Sequence, residues 1–213
     1  FTGIADRGYG DESGPLGWEL AFAYLQEQLY TFYGDKEIIA RHYDAFIRQV
    51  EFLQSRSRDN LFDWDISDHE ALDPKPEAFS ASAFYYHHAK LAAEFAGILG
   101  KRDDSLQYAA LASRIRSAII AKFLVPGTGR FDNGTQSAQV FALWYGLSPE
   151  PEKSFDWLME ECKRHDWHLS TGIFGTRMLL DVLRQWGKNE LAYKIVQQRD
   201  FPGWGYMLAN GAT

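Results

Sequence analysis

Apolar side chains recur along most of this chain every three to four residues, the spacing that draws a stripe along an α-helix. From Trp18 to Tyr33, Leu20, Ala23 and Tyr24 step round one side, while Phe22, Leu25, Leu29 and Phe32 fall on another. Gly34-Asp35 interrupts the pattern. It resumes from Lys36 to Gln54, with Ile38, Ile39, Tyr43, Phe46, Ile47, Val50 and Leu53 at helical spacing. A two-residue break made of a glycine and a capping aspartate predicts an antiparallel helix pair. The same design returns further on. Glu77 to Leu99 and Asp104 to Phe123 face each other across Gly100-Lys101-Arg102-Asp103, with Leu106, Ala109, Ala112, Ile115 and Ile119 read as the apolar stripe of the second helix. Ser137 to Tyr145 and Glu152 to Arg164 form a third pair across Gly146-Leu147-Ser148-Pro149. A fourth pairs a helix centred on Phe174, Met178, Leu179, Val182 and Leu183 with a shorter one from Glu190 to Gln198.

No window alternates β-branched residues in the two-residue period of a strand, so the chain is predicted to be all-α. Longer loops over residues 55–76, 124–134 and 165–172 join one pair to the next. The first 16 residues and the segment around Trp204 read as irregular. Hairpins with a short turn at one end and a long loop at the other stack into a solenoid or close into a toroid, with the long loops on one face. Those loops hold Trp18, Trp64, Asp132, His168 and Trp204. A repeat scaffold for protein binding is disfavoured, because the hairpins share no consensus and their loops gather aromatics with carboxylates. An indole or phenol offers a flat apolar face with a polar atom, which suits a sugar ring and its rim of hydroxyls.

Composition narrows the partners. The 213 residues carry a formal net charge of −7 and no long basic run, which disfavours nucleic acid and anionic membrane. No apolar run reaches the 18 or so residues of a membrane span. Cys162 is the sole cysteine and forms no internal disulfide or thiolate metal cluster. The His87-His88 pair lacks metal-ligand spacing. Phosphate-binding glycine loops, GxSxG elbows and HExxH pairs are missing. No metal and no cofactor are expected.

Several stretches then take on a joint meaning: Gly17-Trp18 opening the first helix, Phe62-Asp63-Trp64 after the second, Phe131-Asp-Asn-Gly-Thr-Gln136 with Ala138, His168-Leu-Ser-Thr-Gly-Ile-Phe-Gly-Thr176, and Trp204-Gly-Tyr through Asn210-Gly-Ala-Thr213. In this order and spacing the chain resembles the catalytic domain of the bacterial α-L-rhamnosidases of glycoside hydrolase family 78. The resemblance implies a six-hairpin (α/α)6 toroid of which residues 1–213 supply about four hairpins. It also implies hydrolysis of a terminal α-L-rhamnosyl bond with inversion, on a glycan or glycoside substrate. Inversion needs a carboxylic acid and a carboxylate roughly 6.5–9.5 Å apart, leaving room for the attacking water. The family's acid lies in an Asp-Glu-Arg motif expected upstream of Phe1. Its glutamate base is expected downstream of Thr213. Asp11-Glu12-Ser13 imitates the acid motif, but Ser13 stands where arginine belongs and the helix that follows fits a later family segment.

The residues expected to meet substrate are Trp18, Glu19, Asp63, Trp64, His168, Trp204 and Tyr206. Trp18 and Trp64 match pocket positions of the family, although composition alone reads either as a packing tryptophan. Glu19 is the nearest carboxylate where the family often has an aspartate two residues past the tryptophan and this chain has Leu20. Asp63 either accepts from a sugar hydroxyl or caps a turn. His168 either bonds substrate or is a structural histidine. Trp204 and Tyr206 read as a pocket wall, Asp132 and Asn133 as turn formers, and Trp144, Trp157 and Trp186 as core. The alternatives are another six-hairpin glycosidase and a carbohydrate-binding toroid without catalysis.

Overall fold

A computed structural model describes residues 15–212, and every described element is helical apart from two isolated bridges, Arg58 with Leu61 and Leu124 with Phe131. The Asp11-Glu12-Ser13 stretch lies outside the described residues. Two compact units divide the chain.

The first takes residues up to 66 and then 81–122. It contains α1 (Leu16–Tyr33), α2 (Lys36–Arg56), most of α3 (Glu77–Ile98) and α4 (Arg102–Phe123). The α1–α2 turn forms as its sequence predicts. Gly34 takes the left-handed conformation at φ 68°, and Asp35 caps α2 by accepting from the amides of Glu37 and Ile38 at 3.0 and 3.1 Å. The buried stripe of α2 is Ile39, Tyr43, Phe46, Val50 and Leu53. Phe46 lies against Phe95 of α3 with ring centres 5.5 Å apart, and against His88 at 6.2 Å. The stripe expected on α4 holds at Ala112, Ile115 and Ile119 and differs at its start. Tyr108, Leu111, Ala112, Ile115 and Ile119 are buried, whereas Leu106 is exposed with Ala109. The aromatic Tyr108 faces inward and takes Leu106's place. On α1 the inward side is Leu16, Leu20, Ala23 and Gln26, and Leu25 and Phe32 are exposed.

The second unit takes residues 67–80 and those from 123 onward. It holds α5 (Gln136–Trp144), α6 (Pro151–Arg164), α7 (Ile173–Gln185), α8 (Asn189–Val196) and α9 (Trp204–Ala209). Phe79 packs on Phe123 and Phe131, each at 5.4 Å, while Phe141, Leu147, Leu158, Leu179 and Leu183 fill the centre. Two expectations are corrected. The segment from Trp204 is a short helix, not an irregular loop, because Gly203 begins it and intrahelical bonds run on to Asn210. Trp144, Trp157 and Trp186 are half-buried and not core. Trp157 donates its indole N–H to the Gly134 carbonyl at 2.9 Å, and Trp186 stacks on Phe155 at 4.3 Å, so each closes over a helix instead of filling the centre.

Candidate functional site

In the first unit two of the expected residues lie at the start of α1. Pro15 precedes this helix, lacks an N–H and provides no side-chain cap. Trp18 and Glu19 lie in its first turn. Trp18 is 41% exposed, Leu20 is buried, and the Glu19 carboxylate accepts from Gln49 of α2 at 3.2 Å. Two more lie in the loop after α2. There Asp63 is exposed and pairs with Lys122 at 3.7 Å, and Trp64 is 51% exposed. The next residue, Asp65, is 1% exposed. The backbone amides of Ile66, Gly17 and Leu16 lie close enough to favour its charged form, yet neither oxygen completes a well-formed hydrogen bond among the described residues. Burial pushes this carboxyl up to about 6; the three amides oppose that rise, and the charge of Glu19 adds slightly to it.

In the second unit a different aspartate organises the His168–Thr176 stretch. Asp68 is fully buried, and its carboxylate accepts from Ser137 Oγ at 2.5 Å and from the amides of Gly172, Phe174 and Gly175 at 2.7, 3.0 and 2.9 Å. It caps α7 from a distance. The two glycines permit the approach. A Cβ on Gly175 would stand 2.3 Å from Asp68 Oδ2, and one on Gly172 would stand 2.1 Å from the His69 carbonyl oxygen. Gln136 holds the strand of chain just before. Its amide donates to the His168 carbonyl at 3.0 Å, and its carbonyl accepts from the Ser170 amide at 3.1 Å. These bonds tie Thr135-Gln136-Ser137 to His168-Leu-Ser-Thr-Gly172, which is why the two stretches need one another. Asp132, at φ 46°, and Asn133, bonded to the Pro74 carbonyl and to Thr135, act as turn formers.

His168 has both ring nitrogens engaged. Nδ1 donates to the His165 carbonyl at 3.1 Å, and Nε2 meets Asp200 at 2.9 Å. The Asp200 bond raises its proton affinity, against a smaller loss from burial, and correspondingly lowers that of Asp200. This geometry favours the structural alternative for His168: it anchors the segment that leads to α9. Trp204 opens α9 half-buried, and Tyr206 is 41% exposed and edge-on to Phe201 at 5.6 Å. Of the other histidines, His88 is buried in α3, held by the Phe84 carbonyl, and drawn down to about 4 by burial. No group of three or more His, Cys, Asp or Glu poised for a metal occurs among the described residues.

Sequence reasoning missed Asp65, Asp68, Gln136 and Asp200. The signal for the first two was present in Phe62-Asp-Trp-Asp-Ile-Ser-Asp68: carboxylates amid apolar residues, too close together for one turn to use them all.

Comparison with known proteins agrees with the all-helical architecture. A family model for the bacterial alpha-L-rhamnosidase 6 hairpin glycosidase domain matches residues 4–213. The alpha-L-rhamnosidase of Streptomyces avermitilis is 34% identical over 222 residues, covering 100% of this chain and 21% of that protein. One from Formosa agariphila is 30% identical over 230 residues, with 100% and 23% covered. The chain therefore spans about a fifth of the length of the curated relatives it matches. Among solved structures, the alpha-L-rhamnosidase of Dictyoglumus thermophilum superposes with a TM-score of 0.87 at 32% identity, covering 94% of this chain and 24% of that one. The Streptomyces avermitilis enzyme complexed with L-rhamnose gives 0.84 at 34% identity, covering 90% and 19%.

Proposed function

Because the chain belongs to the bacterial alpha-L-rhamnosidase six-hairpin glycosidase domain family, we propose that it forms part of an inverting glycoside hydrolase releasing terminal α-L-rhamnose from glycans or glycosides. Residues 1–213 are read as part of its catalytic (α/α)6 domain. The observation that carries this reading is similarity along the whole chain to an alpha-L-rhamnosidase whose solved structure holds L-rhamnose.

Inversion is a single displacement at the anomeric carbon. An acid protonates the departing oxygen while a carboxylate takes a proton from water on the opposite face. Both roles are assigned to segments of the complete polypeptide outside these residues. Each unit of this chain contributes surface suited to a sugar. The half-exposed indole of Trp64 offers an apolar wall to the ring face and the C6 methyl, with Trp18 on α1 as its companion. Asp63 and Glu19 stand as hydroxyl acceptors. In the second unit, Trp204 and Tyr206 supply aromatic surface on α9, whose approach segment His168 anchors through Asp200.

Turnover of p-nitrophenyl α-L-rhamnoside by the complete polypeptide tests the reading, and hydrolysis with inversion is expected. Removing a large apolar contact is worth roughly 1.5–3 kcal/mol, so Trp64→Ala should lower kcat/KM by about 10- to 100-fold. A folded Trp64→Ala with unchanged kinetics would remove Trp64 from the seat. Failure to hydrolyse rhamnosides alongside turnover of another glycoside would transfer the activity to a different sugar.

A further inference from the structure

We propose that His168 is a positioning residue, held as an imidazolium between the end of α6 and Asp200, which latches the segment leading into α9 and so sets Trp204 and Tyr206. The inference rests on the reading of those two rings as sugar-facing surface and goes beyond it to the proton that holds them in place.

Three observations carry it. First, the two partners of the His168 ring are both acceptors. Nδ1 lies 3.1 Å from the His165 carbonyl and Nε2 lies 2.9 Å from an Asp200 carboxylate oxygen. A neutral imidazole has one N–H and satisfies one of them, whereas the imidazolium has two and satisfies both. Second, both partners favour a positive charge. His165 is the C-cap of α6, where the helix dipole presents its negative end, and Asp200 is a carboxylate. Third, α9 hangs from the same junction. Gln198 donates its side-chain amide to the Asp166 carbonyl at 3.2 Å and accepts from the Gly205 amide at 3.0 Å. Gly203 and Gly205 permit that approach, since a Cβ on them would stand 2.5 and 2.8 Å from the Gln198 oxygen. Lys194 of α8 lies over the Trp167 ring at 4.6 Å. Among these contacts, His168 with Asp200 is the one that titrates near neutrality.

The surrounding charges agree with a cationic ring. The bond to Asp200 raises the proton affinity of His168 above the ordinary 6.5, burial opposes it by less, and the His165 carbonyl and the charge of Asp166 add to it. Neighbouring cations have partners of their own. Lys163 and Arg164 in the last turn of α6 pair with Glu160 and Glu161, and the His165 ring pairs with Asp73 at 3.1 Å. Arg199 is exposed. A raised pKa of this kind contributes fully below pH 6.5, and the contribution is lost as pH rises through the raised value. The latch is therefore closed at acid to neutral pH and opens on the alkaline side.

The test is made in the complete polypeptide with wild type, Asp200→Asn and Asp200→Ala. An asparagine amide donates to Nε2 of a neutral ring, and its carbonyl accepts from a charged one. Asp200→Asn thus keeps the latch at every pH, and Asp200→Ala breaks it at every pH. The ratio of wild-type to Asp200→Asn KM for p-nitrophenyl α-L-rhamnoside should climb about threefold between about pH 6 and about pH 9, with kcat little changed. Asp200→Ala should show the raised KM throughout. A ratio flat with pH, or a wild-type KM in Asp200→Ala, overturns the proposal. Protonation is read apart from turnover. Deuterium exchange at the imidazole C2 carbon, followed by mass spectrometry after chymotryptic cleavage at Trp167, should place the His168 pKa above 6.5 in wild type and lower in Asp200→Asn. Amide exchange over residues 203–210 should quicken beyond its intrinsic pH dependence as His168 deprotonates in wild type, and not in Asp200→Asn. A pKa of 6.5 or below, or amides indifferent to the deprotonation, refutes the latch even in an active enzyme. If wild type hydrolyses no rhamnoside, the sugar reading falls and the two exchange measurements decide the latch.

Discussion

Asp65 and Asp68 stand three positions apart, are both buried, and both face the amide end of a helix, yet their circumstances are opposite. Asp68 is saturated by one hydroxyl and three amides. Asp65 draws on three amides without completing a well-formed bond to any among the described residues. The difference begins in the helices they meet. α7 starts Gly172-Ile-Phe-Gly175, where two missing side chains let a carboxylate sink among free N–H groups. α1 starts behind Pro15, with one donor fewer and a glutamate in its first turn. A buried charge is cheap where every lone pair finds a donor and costly where none does. The first arrangement is built for rigidity; the second holds a group that a stability-driven sequence would replace.

The contrast breaks most sharply at Asp68. Asp68→Ala strands three buried amides and a hydroxyl, and should cost on the order of 4 kcal/mol in denaturant unfolding of the complete polypeptide. A loss below about 1 kcal/mol would mean that water replaces the carboxylate and the cradle is incidental. Gly175→Ala attacks the same cradle by crowding, since its Cβ would stand 2.3 Å from Asp68 Oδ2. Overpacking of this kind costs about 1–3 kcal/mol, read as a lower midpoint with an unchanged slope.

Asp65 should respond in the other direction. Its carboxyl titrates near 6 in the folded chain, above the ordinary 3.8, so between those values the folded state binds more protons than the unfolded. Its contribution is therefore most favourable below about pH 4 and is lost as pH rises through 6. Asp65→Asn removes this penalty and should gain about 2 kcal/mol at pH 7, with a weaker dependence of melting temperature on pH between 4 and 7. A destabilised Asp65→Asn at pH 7 would show instead that the carboxylate is properly satisfied. Asp63, the third aspartate of the stretch, sets the baseline. It is 71% exposed and pairs with Lys122 at the surface, so Asp63→Ala should change stability by less than about 0.5 kcal/mol.

Much of the molecule was legible along the chain. Helix pairs, their breaks and the cap at Asp35 follow from periodicity and turn chemistry, which act over a few residues. Misreadings share one cause. On α4 the stripe was set by Leu106 when Tyr108 faces inward, and at Trp204 a run of glycines and aromatics concealed a short helix closed by its own backbone bonds. Trp144, Trp157 and Trp186 read as core but are half-buried, since an indole also closes a surface when its N–H finds a carbonyl, as that of Trp157 does at Gly134.

By itself the sequence determined the all-helical class, the hairpin order and the family, because each is written in local spacing or in short motifs read in order. Only the tertiary structure decided which aspartate is anchored and which is strained, that His168 has both nitrogens committed, and why Gly172 and Gly175 cannot carry a side chain. The decisive partners often come from far along the chain, as Asp200 does to His168 across 32 positions and Ser137 and Gly172 do to Asp68 across 69 and 104. Periodicity along one segment carries no record of them.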